Sequence, residues 1–202
     1  MIMSSFIRNS LVVLCGFAMS SCSMFSPVAA PTATYRLDAV SASAAKHASR
    51  HGTLFVAVPE TSPVYSTNDM AYTKEPYQVS YFVKSSWIES PAQMLQPLMV
   101  QTLQNTHMFH AVNGTEAAGA YDYILNTQIL KFEQDFTRPQ SVFRLTLRVN
   151  LLGAVQHRVL RSQEITVVEL APQNTPYGGV IAANRATAKA LVAIRHFCLG
   201  RL

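Results

Sequence analysis

The chain has 202 residues, 49% of them apolar and 13% charged, against about 25% charged in ordinary soluble domains. That balance excludes charge-driven disorder, which needs low hydrophobicity and high net charge. Eight Gly, ten Pro and three Cys exclude a collagen-like repeat and a disulfide scaffold, and the formal net charge is +5; the length suits one domain with a real core plus a tail.

Residues 1–21 read as an address. Arg8 is their only charge, and it precedes an apolar run from Leu11 to Met19. A run this short cannot span a bilayer, which takes about 20 residues, but it has the length and order of a signal-peptide core. The run ends in Met19-Ser20-Ser21-Cys22. Small residues before a Cys at this place resemble the lipobox of bacterial lipoproteins. The resemblance implies a diacylglycerol on the Cys22 thiol, cleavage before Cys22 and an N-acyl chain on the new amine. The alternative is a plain secretory signal with an incidental Cys. Each buried methylene contributes about 0.8 kcal/mol, and two or more chains hold stably, so acylation would anchor the protein to a membrane. Ser23 rather than an acid follows Cys22, which by resemblance to the enterobacterial sorting rule favours the outer membrane. With Cys15 removed and Cys22 acylated, Cys198 is left without a disulfide partner. It lies in an apolar helical pattern and reads as a buried, inert thiol.

Residues 22–52 are rich in Ser, Ala, Pro and Thr and read as a lipidated flexible tether, with Tyr35-Arg36-Leu37 as a short docked strand. The folded domain spans residues 53–202. Thr53–Val58 reads as a strand stopping at Pro59, and Pro63-Val64-Tyr65 and Asn68-Asp69 mark a loop. Ala71–Thr73 and Tyr77–Val83 are strands around the turn Lys74-Glu75-Pro76. Ser90 caps a helix with Pro91 at its first position. Met94, Leu95, Leu98, Met99 and Leu103 recur at helical spacing, so the helix ends near Thr106. Phe109–Val112 is a short strand before the loop Asn113–Ala120. Tyr121–Phe132 is a long strand with Tyr123, Leu125, Thr127 and Ile129 on one face. Along Ser141–Leu152, Phe143, Leu145, Leu147, Val149 and Leu151 point inward, while Arg144, Thr146, Arg148 and Asn150 point outward. A turn near Gly153 leads to Val159–Leu170. Pro172–Gly179 is a loop, and Val180–Leu199 forms a last helix whose inner face includes Ala188, Leu191, Val192 and Cys198. The fold class is α/β (α+β): one domain with a mixed, largely antiparallel sheet packed with two main helices.

The order of these features resembles the ABC-type transport auxiliary lipoprotein family. Tyr35–Leu37 supplies the Tyr-x-Leu, and Trp87-Ile88-Glu89-Ser90-Pro91 leads into Met94-Leu95. His107-Met108-Phe109 closes the helix region, and Tyr121-Asp122-Tyr123-Ile124-Leu125 opens the long strand. Lys131-Phe132-Glu133-Gln134-Asp135-Phe136 looks like the family's Phe-x-Gln-Asp-Phe ending, and Ala183-Asn184 with Ala188–Phe197 fits its last helix. The resemblance covers nearly all of residues 35–198. It implies a periplasm-facing lipoprotein of an Mce-type lipid transport system, in which an inner-membrane ABC transporter and an Mce-domain protein carry phospholipid across the periplasm. The lipoprotein would receive the far end at the outer membrane, as a ring-shaped homo-oligomer. It would be no enzyme and bind no metal, and its only attached groups would be the acyl chains on Cys22. The alternative is another envelope assembly lipoprotein, such as a pilot for an outer-membrane secretin or lipopolysaccharide channel.

Other chemistry finds little support. His47 and His51 sit in the tether, and His107 and His110 have no carboxylate near them in sequence. No Gly-x-Ser-x-Gly elbow, phosphate loop or His-Glu-x-x-His is present. Glu133 and Asp135 would share a strand face and read as solvated acids. Trp87, the lone Trp, reads as a core anchor at the helix start, with an exposed partner contact as the alternative. Phe132 and Phe136 flank acids, so at least one would be exposed near a sheet edge as a partner contact. Residues 22–137 hold six basic and nine acidic groups, and residues 138–202 hold nine basic and two acidic. Arg144 and Arg148 share a strand face, with Arg158 and Arg161 just beyond on its neighbour. They form either a solvated outer face or a basic surface for an acidic partner or anionic lipid. Nucleic acid is excluded by export.

Overall fold

One long strand organises the sheet. The structure is a computed structural model, and it describes residues 32–39, 51–115, 121–156 and 158–200. Residues 1–31, including the segment read as a signal peptide and Cys22, and residues 40–50, including His47, lie outside the described residues. The strands are β1 (Ala33–Tyr35), β2 (His51–Val56), β3 (Glu60–Thr61), β4 (Asp69–Thr73), β5 (Ser80–Trp87), β6 (Phe109–Asn113), β7 (Tyr123–Asp135), β8 (Val142–Gly153) and β9 (Arg158–Leu170). The helices are α1 (Pro91–Gln104) and α2 (Pro176–Leu199), and a 3-10 turn spans Pro63–Tyr65.

β7 is paired on both edges. Along one edge it pairs antiparallel with β8 over its full length, and β8 pairs antiparallel with β9. Along the other edge three short strands succeed one another, all parallel to β7: β2 beside Tyr123–Leu125, β3 beside Gln128 and Ile129, and β4 beside Gln134 and Asp135. β6 extends the sheet beyond β2, while β5 and then β1 extend it beyond β4. The sheet is therefore mixed, with its long ladders antiparallel and its parallel pairings short.

The meander's alternation produces the core. Phe143, Leu145, Leu147, Val149 and Leu151 are all buried under α2, together with Leu125, Thr127 and Ile129 of β7. Fully burying such an aliphatic side chain contributes about 1.5–3 kcal/mol. A bulge then changes the parity of β7. Ile129 faces Leu147 and Lys131 faces Thr146, so Leu130 is the extra residue and Phe132 returns to the inner face opposite Leu145. Lys131, Glu133 and Asp135 are turned to the side away from the helices.

Both helices start where their caps dictate. Ser90 and Gln93 form a reciprocal capping box, with Pro91 in the first turn. At α2, the Thr175 hydroxyl accepts the Gly178 N–H at 3.0 Å and Pro176 opens the helix. α2 thus begins four residues before the expected Val180. The apparent loop signal of Gly178 and Gly179 has a packing cause: a Cβ at Gly178 would overlap the Gln173 carbonyl, and one at Gly179 the Gln134 side chain. Of the residues expected inside, Leu191 and Cys198 are buried, while Ala188 and Val192 are half-buried.

Other boundaries also differ from the sequence expectation. The compact unit begins at Thr32, within the segment read as tether, and β2 begins at His51. The docked strand is Ala33–Tyr35, parallel to Ser85–Trp87 of β5, with Leu37 buried just beyond it. β5 begins at Ser80 rather than Tyr77, because Tyr77 takes a left-handed backbone (φ 69°) at a loop tip.

Candidate functional site

The side of the sheet away from the helices carries a cleft at the C-terminal end of β7. The bulge at Leu130 sends Lys131, Glu133 and Asp135 toward it, and register places Arg144 of β8 beside Glu133. The Arg144 Nε donates to Asp135 Oδ2 at 2.7 Å. Asp135 Oδ1 accepts from both the backbone N–H and the hydroxyl of Thr137, at 2.8 and 2.6 Å. Tyr65, delivered by the 3-10 turn, donates its hydroxyl to Glu133 Oε2 at 2.8 Å, and Lys131 Nζ lies 3.4 Å from Glu133 Oε1. The loop before β5 forms the outer wall, so that Pro76, Tyr77 and Val79 face Lys131 and Arg144 across about 560 Å³.

Glu133 and Asp135 are buried rather than solvated, and Tyr65 is buried with them. Burial pushes the Asp135 carboxyl up, but the Thr137 and Arg144 hydrogen bonds overcome it and hold the group below the usual carboxylate range. Burial, reinforced by the Glu133 carboxylate, pushes the Tyr65 phenol above its usual value. These charges are satisfied by one another. They tie the 3-10 turn and the β7–β8 hairpin together. Among the described residues no group of three or more His, Cys, Asp or Glu is placed to hold a metal. His107 and His110 are exposed beside a shallow pocket of about 270 Å³.

Several contact residues expected from the sequence are repositioned. Trp87 and Phe132 are each 1% exposed and meet edge to face at 5.5 Å between ring centroids, with Phe132 also against Phe143 at 5.0 Å. Trp87 is thus the core anchor expected of it, its alternative as a partner contact falls, and the partner-contact expectation for Phe132 is corrected, because the bulge turns Phe132 inward. Phe136 is half-buried in an aromatic group with Tyr72 and Phe82.

The arginines do not form one basic surface. Arg144 is paired with Asp135, and Arg148 lies 3.5 Å from Glu164 on the same face. Arg161 is on the opposite face, its guanidinium stacked on Phe197 at 5.0 Å and donating to the Phe197 carbonyl. Arg158 is exposed. Tyr65 and Tyr77, which shape the cleft, were not singled out in the sequence. The sequence signal for them is an aromatic close after a loop proline, Tyr65 two residues after Pro63 and Tyr77 directly after Pro76.

The architecture defines a class first: an α+β domain whose sheet has helices over one face and a polar, open second face. The chain belongs to the ABC-type transport auxiliary lipoprotein family, whose model matches residues 35–194. Among curated proteins none matches. A solved protein from Xanthomonas campestris has the same fold, with TM-score 0.74 and 18% identity over 84% of this chain and 95% of that one. A second, an uncharacterized protein, has TM-score 0.65 and 14% identity over 84% of this chain and 99% of that one. Among the described residues no helix is long and apolar enough to cross a membrane.

Proposed function

We propose that this protein is the outer-membrane-anchored, periplasm-facing component of an Mce-type intermembrane phospholipid transport system. Cys22 carries the acyl chains, and the domain docks the transporter at the outer membrane. The role is one of binding and assembly rather than catalysis, exercised as a homo-oligomer. The observation that carries the reading is the family match over residues 35–194 in a chain whose residues 19–22 resemble a lipobox.

The test is affinity purification of the full chain from cross-linked envelopes of its own bacterium, after growth with labelled palmitate. The expected result is a palmitoylated protein in outer-membrane fractions, bringing down an Mce-domain protein. Recovery of a secretin or lipopolysaccharide channel in its place would overturn the docking role. Absence of label on Cys22 would overturn the anchor.

A further inference from the structure

The exposed apolar residues of the chain are unevenly placed. Tyr77, at 106% exposure, stands at the tip of the loop before β5, and Val79, Tyr81 and Val83 follow at every second position. Within β5 that spacing puts Tyr81 and Val83 on one face, and Tyr77 and Val79 are exposed just ahead of it. Val83 is 90% exposed, and Tyr81 is steadied by donating its hydroxyl to the Val64 carbonyl at 3.1 Å. Tyr77 holds a left-handed backbone, a conformation that costs a non-glycine residue energy and persists where surrounding structure imposes it. A fully solvated tyrosine held this way is not explained by the core.

The N-terminal strand enters the fold near this stripe. β1 runs parallel to β5 with Ala33 beside Ser85, so the N-terminal end of β1 faces the Ser80 end of β5. Cys22 precedes Ala33 by eleven residues, a length that spans at most about 40 Å when fully extended. The Ser80 end lies five strand residues from that point, roughly 17 Å. At this end the β7–β8 hairpin adds exposed Arg138, and the Tyr77 loop adds exposed Lys74 next to exposed Glu75. Tyrosines beside cations suit a headgroup layer, where an aromatic body meets acyl chains and its hydroxyl stays wet. The β8–β9 turn with Val155 is at the opposite end of the sheet.

We propose that the Tyr77 end of the sheet rests on the lipid surface entered by the Cys22 acyl chains, with Tyr77, Val79 and Val83 in contact with it. The inference rests on the Cys22 anchor. It adds an orientation: the domain lies on its membrane instead of hanging from a string.

Nitroxide labels at Tyr77→Cys, Val83→Cys and, as a control, Val155→Cys test it. The acylated full chain is placed in phosphatidylethanolamine–phosphatidylglycerol vesicles. Cys198 is buried and stays unlabelled in the folded protein. The expected result is severalfold lower access of a water-soluble nickel chelate at positions 77 and 83 than at 155, with oxygen access retained. Equal chelate access at all three positions overturns the proposal. So does spin–spin broadening between Val83 labels, which would put a second copy on the stripe. A palmitate-labelled protein with an open stripe sinks only this orientation; an unlabelled one sinks the anchor as well.

Discussion

Asn184 of α2 accepts the backbone N–H of Asp38 at 2.7 Å, across 146 residues of sequence. Its amide nitrogen donates to the carbonyls of Arg36 and Val180, at 3.3 and 3.1 Å. One side chain therefore holds the N-terminal segment against the last helix. Leu37 is buried beside it, and Ile88 N–H donates to the Tyr35 carbonyl at 2.7 Å. Asn184→Ala removes two cross-chain bonds at a cost of about 1–2 kcal/mol. Amide exchange of residues 33–38 should accelerate in this variant while the β7–β8 ladder stays protected. Unchanged exchange in that segment would show that β1 pairing alone holds it.

Asp135 makes stability depend on pH. Its folded-state pKa is depressed, so its contribution is present above the ordinary carboxylate value and is lost as pH falls through the folded value. Asp135→Asn should therefore be less stable than wild type at pH 7, with the gap closing on acidification. Arg144→Ala should cost about 1–3 kcal/mol at neutral pH, because a buried carboxylate loses its charged donor. Urea unfolding at several pH values checks both variants.

Trp87 and Phe132 divide core from contact surface. Truncating a buried aromatic to Ala costs about 3–5 kcal/mol. Trp87→Ala and Phe132→Ala should each lower the unfolding midpoint by circular dichroism by an amount of that order. A normal midpoint with lost partner recovery would instead return these residues to a surface.

Cys198 should be chemically silent. Burial, opposed by the nearby Arg161 charge, pushes its thiol up to about 12. The thiolate is the reactive form, so iodoacetamide at pH 8 should leave Cys198 unmodified until denaturant is added. Replacement by Ser should cost about 1–3 kcal/mol, since it moves a hydroxyl into a fully buried place. Rapid alkylation of the folded chain would contradict the packing described.

Some of the fold is local and was legible along the chain. Five inward residues from Phe143 to Leu151 alternate because a strand with one buried face must place apolar groups at period two. Ser90 and Pro91 announce α1 because the first backbone N–H groups of a helix need an external acceptor and Pro lacks the donor. The family resemblance rests on the same local order, and the family match over residues 35–194 agrees with it. Other features depend on meetings between distant residues. No spacing foretells that β7 takes β2, β3 and β4 in turn along one edge, because pairing partners are chosen by packing across the sheet. The Leu130 bulge reverses the parity of the strand, and with it Phe132 moves to the core while Glu133 and Asp135 move to the cleft. Arg161 looked like a neighbour of Arg148, yet its register opposite the buried Leu151 puts it on the inner face, where α2 brings Phe197 against it. The charge asymmetry is a property of the sequence. Where each charge lies, and which acid neutralises it, was decided by the fold, because an ion pair forms between groups brought together in space.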